Sequence, residues 1–366
     1  MKRLECDVLI VGARVAGATL AAIAGDGGLD VVLVDTATFP STTLSTHFFR
    51  GQWGVSALER LGVLDDALGL GAPKLVCQYD YSEGTETAQV SPPQDPGAIG
   101  FCLSVRREPL DDLLVRRAAR QNNVTLLEGT RFGGAIISDD RVVGAKLQRG
   151  GEPLEVTCRL LVGADGRRSA VAKAVRAEIE MSDPPMRALY YQYVRGFPAP
   201  GEQAGPEFSL RGDEVAYVFP SDDSLSCIAV SVNMQRFAAM RGSIATSFRS
   251  VIDEHPALGR RFDAATPEGR VLGCGPELSY VRVPVGPGWA LVGDASIHQD
   301  PWSGRGIDFA ATHATYLADA LLDGALNETT QVKSLHRYHM RRDEHGLPGY
   351  RETTEFAADL RRLSES

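Results

Sequence analysis

Cys6-Asp-Val-Leu-Ile-Val-Gly-Ala-Arg-Val-Ala-Gly17, continued through Ala24 to Val31-Val-Leu-Val-Asp35, reads as strand, tight turn, helix and strand. Asp7 to Val11 is an apolar run with no turn residue inside it, the pattern of a parallel strand buried on both faces. Gly12 ends it, Ala16 to Ala24 supplies small helix formers, and Gly27-Gly28 stops that helix before the second apolar run, Val31 to Val34. Such a unit suits a dinucleotide, because a pyrophosphate rests on free N–H groups at a helix N-terminus while a carboxylate accepts from a ribose hydroxyl. Gly12 and Gly17 fit the turn and the helix–strand packing, Asp35 is the carboxylate, and Arg14 stands where a middle glycine is usual.

Two later stretches repeat the pattern of an apolar strand ending in glycine and a carboxylate. Leu160-Leu-Val-Gly-Ala-Asp-Gly-Arg-Arg-Ser169 runs into Asp165-Gly166, with Ser169 placed to cap a helix from Ala170 to Val175. Trp289-Ala-Leu-Val-Gly-Asp294 leads to Pro301, Gly304 and Gly306, and then to a helix over Ile307 to Leu322. In open α/β sheets, ligands bind at such carboxyl ends of strands. A helix starting near Gly304 offers free N–H groups and the positive end of its dipole, and the glycines let backbone lie against a flat ring.

Between these stretches the texture alternates. Leu75 to Tyr81 and Thr85 to Val90, then Ala188 to Phe197, Glu207 to Leu210, Glu214 to Pro220 and Leu225 to Asn233, read as antiparallel strands of one sheet. Tyr191, Tyr193, Tyr217 and Phe219 on them are candidates for a substrate pocket. The fold expected is α/β, a Rossmann-like domain over 1–73, 102–180 and 272–330, an inserted, mainly antiparallel sheet over 74–101 and 181–271, and a C-terminal helical segment over 331–366. Gly54 to Leu68 is read as one helix, a helix follows Ser104 with Pro109 in its first turn, and Arg131 to Leu147 forms a hairpin turning at Asp139-Asp140.

Composition narrows the function. Lys+Arg 38 against Asp+Glu 47 gives a formal charge of -9, which favours neither nucleic acid nor an anionic membrane. No apolar run reaches the roughly 18 residues of a membrane helix, and the first strand begins too early for a signal peptide, so a cytoplasmic protein with no membrane span is expected. The six cysteines show no C-x-x-C spacing and are expected as thiols, and His336-x-x-His339 belongs to a solvated helix face, so no metal site is expected.

Taken in order, these motifs resemble the FAD-dependent monooxygenases of the para-hydroxybenzoate hydroxylase fold, the group A flavin hydroxylases, and their geranylgeranyl-reductase-like relatives, in the compact form without a C-terminal extension. The resemblance implies FAD as cofactor. It implies FAD contacts at Gly12, Arg14, Ala16, Gly17, Asp35, Arg107, Asp165, Gly166, Gly293, Asp294, Pro301, Gly304 and Gly306. It further implies NAD(P)H as a transient reductant, or a separate flavin reductase, and O2 with an electron-rich, aromatic or polyketide-like small molecule as substrates, oxygenated through a C4a-hydroperoxyflavin in bacterial specialised metabolism. His47, in the loop expected beside the flavin, and His298 and Gln299, ahead of Pro301, are the catalytic candidates. The alternative is reduction of an activated or isoprenoid C=C bond. Halogenation is disfavoured because Tyr217-Val-Phe-Pro-Ser-Asp stands where the halogenases carry W-x-W-x-I-P, and a non-catalytic FAD-binding protein is the remaining alternative.

Overall fold

The computed structural model describes residues 2–45, 47–327 and 329–364. Its centre is a parallel sheet in which strand Lys2–Val11 lies between Glu152–Gly163 and Val31–Val34. Val124–Leu127 extends the sheet on one side and Trp289–Leu291 on the other, both parallel. The strands carry near-continuous Val, Ile and Leu because both faces are covered. Helices Val15–Asp26, Arg107–Ala119 and Gly306–Ala320 cover one face, and the hairpin Thr130–Ser138 and Arg141–Arg149 runs antiparallel into Glu152–Gly163. Asp139 and Asp140 both adopt positive φ, as a two-residue hairpin turn requires.

A second, seven-stranded sheet joins the two alternating stretches, in the order Thr266–Cys274, Arg187–Arg195, Leu225–Asn233, Glu214–Pro220, Glu207–Arg211, Gln78–Tyr81 and Gln89–Ser91. Strand periodicity divides its residues. Ala188, Tyr190, Ala216 and Val218 face helices Ile244–Asp253 and Pro256–Asp263, while Leu189, Tyr191, Tyr217 and Phe219 face the opposite side, toward Phe48 and Trp302. One pairing in this sheet is parallel, Glu207–Arg211 with Gln78–Tyr81.

Several elements differ from the sequence reading. The helix expected over Gly54 to Leu68 is a π-type turn Gly51–Val55 followed by short helices Ser56–Arg60 and Leu64–Gly69, because Gly62 takes φ 68 and breaks it. The helix expected after Ser104 begins at Arg107, and Leu103–Ser104 pairs with Phe48–Phe49 as strand. Strand Gln89–Ser91 is shorter than Thr85 to Val90, since the Ser82 to Thr85 turn consumes the start of that run. The last helix spans Gln331–Ala358, with Pro348 inside it, and a 3-10 turn Leu360–Ser364 follows. No helix among the described residues is long and apolar enough to cross a membrane.

The last helix fixes the 289–304 segment from behind. The Tyr338 hydroxyl donates to the Leu291 carbonyl (2.7 Å), Arg342 Nη1 to Ser296 Oγ (2.9 Å), and Trp302 Nε1 to the Thr353 carbonyl (2.8 Å).

Candidate active site

The turn after the first strand is shaped around glycine. Gly12 takes φ 100, and a Cβ there would lie 2.3 Å from the Ala164 carbonyl oxygen; a Cβ at Gly17 would lie 1.7 Å from the Gly12 carbonyl oxygen. Asp35 closes the turn from below, accepting from Ala13 N–H (2.7 Å) and Ala37 N–H (2.8 Å). The helix from Val15 starts beside Ala16 with no side-chain cap, so its first N–H groups remain available to an anion. Arg14 is pinned rather than free: Nη1 donates to Asp111 Oδ2 (2.6 Å) and to the Ser41 carbonyl (3.3 Å). Arg107 grips the same fully buried Asp111 through Nε and Nη2, both at 3.0 Å. Two guanidinium groups on one carboxylate leave an excess positive charge beside uncapped helix N–H groups, an arrangement that suits a pyrophosphate.

At the second strand end the Asp165 carboxylate is taken up locally. It accepts from Ser169 Oγ (2.5 Å), Ala170 N–H (2.7 Å) and Val171 N–H (3.1 Å), holding the helix that Ser169 caps through Ala172 N–H (2.9 Å). The open feature there is the backbone of Gly166, at φ 74 with no atom within 4 Å of an added Cβ.

The third strand end carries the densest chemistry. Gly293 takes φ 63 against Ala16, and Asp294 Oδ2 lies 3.4 Å from His298 Nδ1. His298 thereby sits between Asp294 and Glu277 (4.0 Å), tilted against Tyr280. Gln299 is buried, and neither its amide nitrogen nor its amide oxygen has a partner among the described residues. Asp300 is also buried; its Oδ1 accepts from Trp302 N–H (3.1 Å), and burial pushes its carboxyl up to about 6. After the Pro301–Ser303 turn, Gly304 (φ 64) and Gly306 meet no atom within 4 Å of an added Cβ, and the helix from Gly306 has no side-chain cap.

These features fit FAD. The glycine turn admits backbone contact with a pyrophosphate, the Gln299 amide is buried with no partner among the described residues and could accept one from a ligand, and the space before Gly304 and Gly306 admits a flat ring. Arg14, Arg107, Asp35, Gln299 and the Gly304–Gly306 backbone are the groups that could hold it.

The loop containing His47 is bound to the same helix start by contacts that sequence reasoning missed. Arg50 Nη1 and Asp308 Oδ2 form a buried ion pair at 2.8 Å, Asp308 Oδ1 accepts from Arg50 N–H (2.9 Å) and Gly54 N–H (3.2 Å), and Arg50 Nη2 donates to the Ser303 carbonyl (3.0 Å). No spacing rule joins residues so far apart. The signal available was an acid in the first turn of a helix, which the dipole alone explains. Phe48, Leu189, Phe208, Tyr217, Phe219 and Trp302 line a small pocket that reaches Gly304, and the Tyr217 hydroxyl donates to the Trp302 carbonyl (2.7 Å). Tyr191 and Tyr193 face His47 instead, Tyr191 edge-on and Tyr193 stacked. His47 is 1% exposed, and burial first, then Arg107 and Arg106, push its imidazole well below the usual range, so it is neutral.

Residues 5–200 match the family model described as an FAD binding domain. Over 361 residues the chain is 24% identical to a digeranylgeranylglycerophospholipid reductase of Methanosarcina acetivorans, covering 97% of this chain and 82% of that protein. Among solved structures it resembles the myxobacterial chondrochloren halogenase CndH (TM-score 0.83, 21% identity, 95% of this chain and 81% of the other). It also resembles PqsL of Pseudomonas aeruginosa, described as a "probable FAD-dependent monooxygenase" (TM-score 0.76, 21% identity, 96% and 94%). The glycine turn, the three strand ends and the match over more than half the chain lead to one conclusion: this protein belongs to the FAD-binding-domain family and is an FAD-dependent oxidoreductase.

Proposed function

We propose that the protein is an FAD-dependent monooxygenase acting on an electron-rich, ring-sized small molecule. The observation that carries this reading is the aromatic wall formed by Phe48, Phe208, Tyr217, Phe219 and Trp302, which reaches the Gly304 helix start. Flat aromatic faces of this kind stack on a ring substrate. Phe48, Tyr217, Phe219 and Trp302 give flat apolar surface, and the pinned loop at Arg50 keeps water from the helix start. When bound, FAD supplies the two-electron redox chemistry and the activation of O2. In this reading Arg14 and Arg107 bind the pyrophosphate, Asp35 the ribose, and the Gly304–Gly306 N–H groups favour the reduced, anionic ring.

NAD(P)H, or a separate flavin reductase, is the proposed source of electrons. We assign the substrate-facing wall to 74–101 and 181–271, and the cofactor to 1–73, 102–180 and 272–330. Ring substrates supplied with reductant under labelled O2 should yield products carrying one labelled oxygen. Product formed without oxygen overturns the reading.

The digeranylgeranylglycerophospholipid reductase relative favours a second reading, reduction of an activated or isoprenoid C=C bond. It predicts anaerobic turnover of a polyprenyl substrate.

A further inference from the structure

His47 is almost fully buried in its loop. It takes φ 66, in the left-handed region that is uncommon for non-glycine residues and that histidine adopts more readily than most. Arg50, three residues on, holds the Ser303 carbonyl at the helix start, and Arg107, whose guanidinium grips Asp111 beside Arg14, acts electrostatically on the imidazole.

Among the described residues the ring is hydrogen-bonded at one nitrogen only. Nε2 meets the Tyr193 hydroxyl, and Nδ1 is buried with no partner among the described residues. Burial pushes the Tyr193 phenol far above its ordinary value, so its proton stays on oxygen, and the partner it has for that proton among the described residues is His47 Nε2. The imidazole is neutral, held so by burial and by the nearby Arg107 and Arg106 cations, the latter ion-paired to Asp222 at 2.7 Å. A neutral imidazole that accepts at Nε2 carries its proton on Nδ1. The result is a buried N–H donor with no acceptor in the described chain, and a buried donor left unpaired is costly.

We propose that Tyr193 fixes His47 in the Nδ1–H tautomer and thereby aims that N–H at an acceptor atom of the bound flavin. Tyr193 is the positioning residue and His47 the group that touches the cofactor. Tyr191 completes the frame, edge-on to His47 with its hydroxyl accepting from Ser45 N–H (3.4 Å), while Ser45 Oγ accepts from His47 N–H (3.1 Å). The assignment rests on flavin binding and not on which reaction follows, so it stands or falls separately from oxygenation.

The test is nitrogen NMR of protein carrying 15N-histidine, apo and loaded with FAD, with His47 assigned by its loss in His47→Gln. The expected result is a protonated Nδ1 and an unprotonated Nε2 in the wild type, with the Nδ1–H proton resonance moving on FAD loading. Tyr193→Phe should retain the thermal midpoint yet give a mixed or Nε2–H tautomer, and both substitutions should weaken FAD about 3- to 10-fold, the effect of losing one hydrogen bond. An Nε2–H tautomer in the wild type, an Nδ1–H resonance indifferent to FAD, or an unchanged tautomer in Tyr193→Phe would each overturn the assignment.

Discussion

Asp300 is held against its own chemistry. Its carboxyl keeps its proton to about pH 6 in the folded chain, against 3.8 when exposed, because burial outweighs the Trp302 N–H and the nearby Arg187 and His298 charges. A folded value raised above the unfolded one means that the native state binds more protons between those two pH values. The stabilisation is therefore full below about pH 4 and is lost as pH rises through 6, up to about 3 kcal/mol. Asp300→Asn keeps the acceptor for Trp302 N–H and removes the ionisation. We expect the variant to melt higher than the wild type at pH 8 and no higher at pH 4; an equal gap at both values would remove Asp300 as its source. The Arg50–Asp308 pair obeys a different rule. Both side chains are almost fully buried, so Arg50→Met strands a carboxylate and should cost about 3–5 kcal/mol in denaturant unfolding, whereas a loss under 1 kcal/mol would mean the pair is exposed in solution.

At the scale of the elements, the two glycine turns separate fold from cofactor. Gly17 has backbone 1.7 Å from where a Cβ would stand, so Gly17→Ala should damage the fold and FAD binding together. Gly306 has no atom within 4 Å, so Gly306→Val should leave the apo melting point within the effect of about 1 kcal/mol while weakening FAD at least roughly tenfold by holding the ring off. Retained FAD affinity in Gly306→Val would mean that the ring lies elsewhere. These turns were legible in the sequence because an apolar run cut short by glycine and followed by a small-residue helix fits a buried strand and its turn. The break at Gly62 was not, since Val55, Leu58, Leu61 and Leu64 keep helical spacing across a glycine whose φ only tertiary packing decides. Arg50–Asp308, the use of Asp165 as a cap, and the contact of His47 with Tyr193 join residues by folding alone, and nothing in local spacing encodes them.

Across the whole molecule, the last helix clamps the 289–304 segment, the three motif strands lie side by side in one parallel sheet, and the antiparallel sheet turns an aromatic face toward Phe48 and Trp302. Under the proposed monooxygenase reading, this arrangement would set an electron-rich ring against a flavin site shielded from water, as oxygen transfer requires. The most direct test is to reduce the bound FAD by light without oxygen, mix it rapidly with oxygenated buffer, and follow the near-ultraviolet absorbance. Monooxygenation predicts reoxidation in at least two phases, through a transient absorbance belonging to neither oxidised nor reduced flavin. Slow single-phase reoxidation, with anaerobic reduction of a polyprenyl acceptor by the same reduced protein, would contradict it and assign the site to C=C reduction.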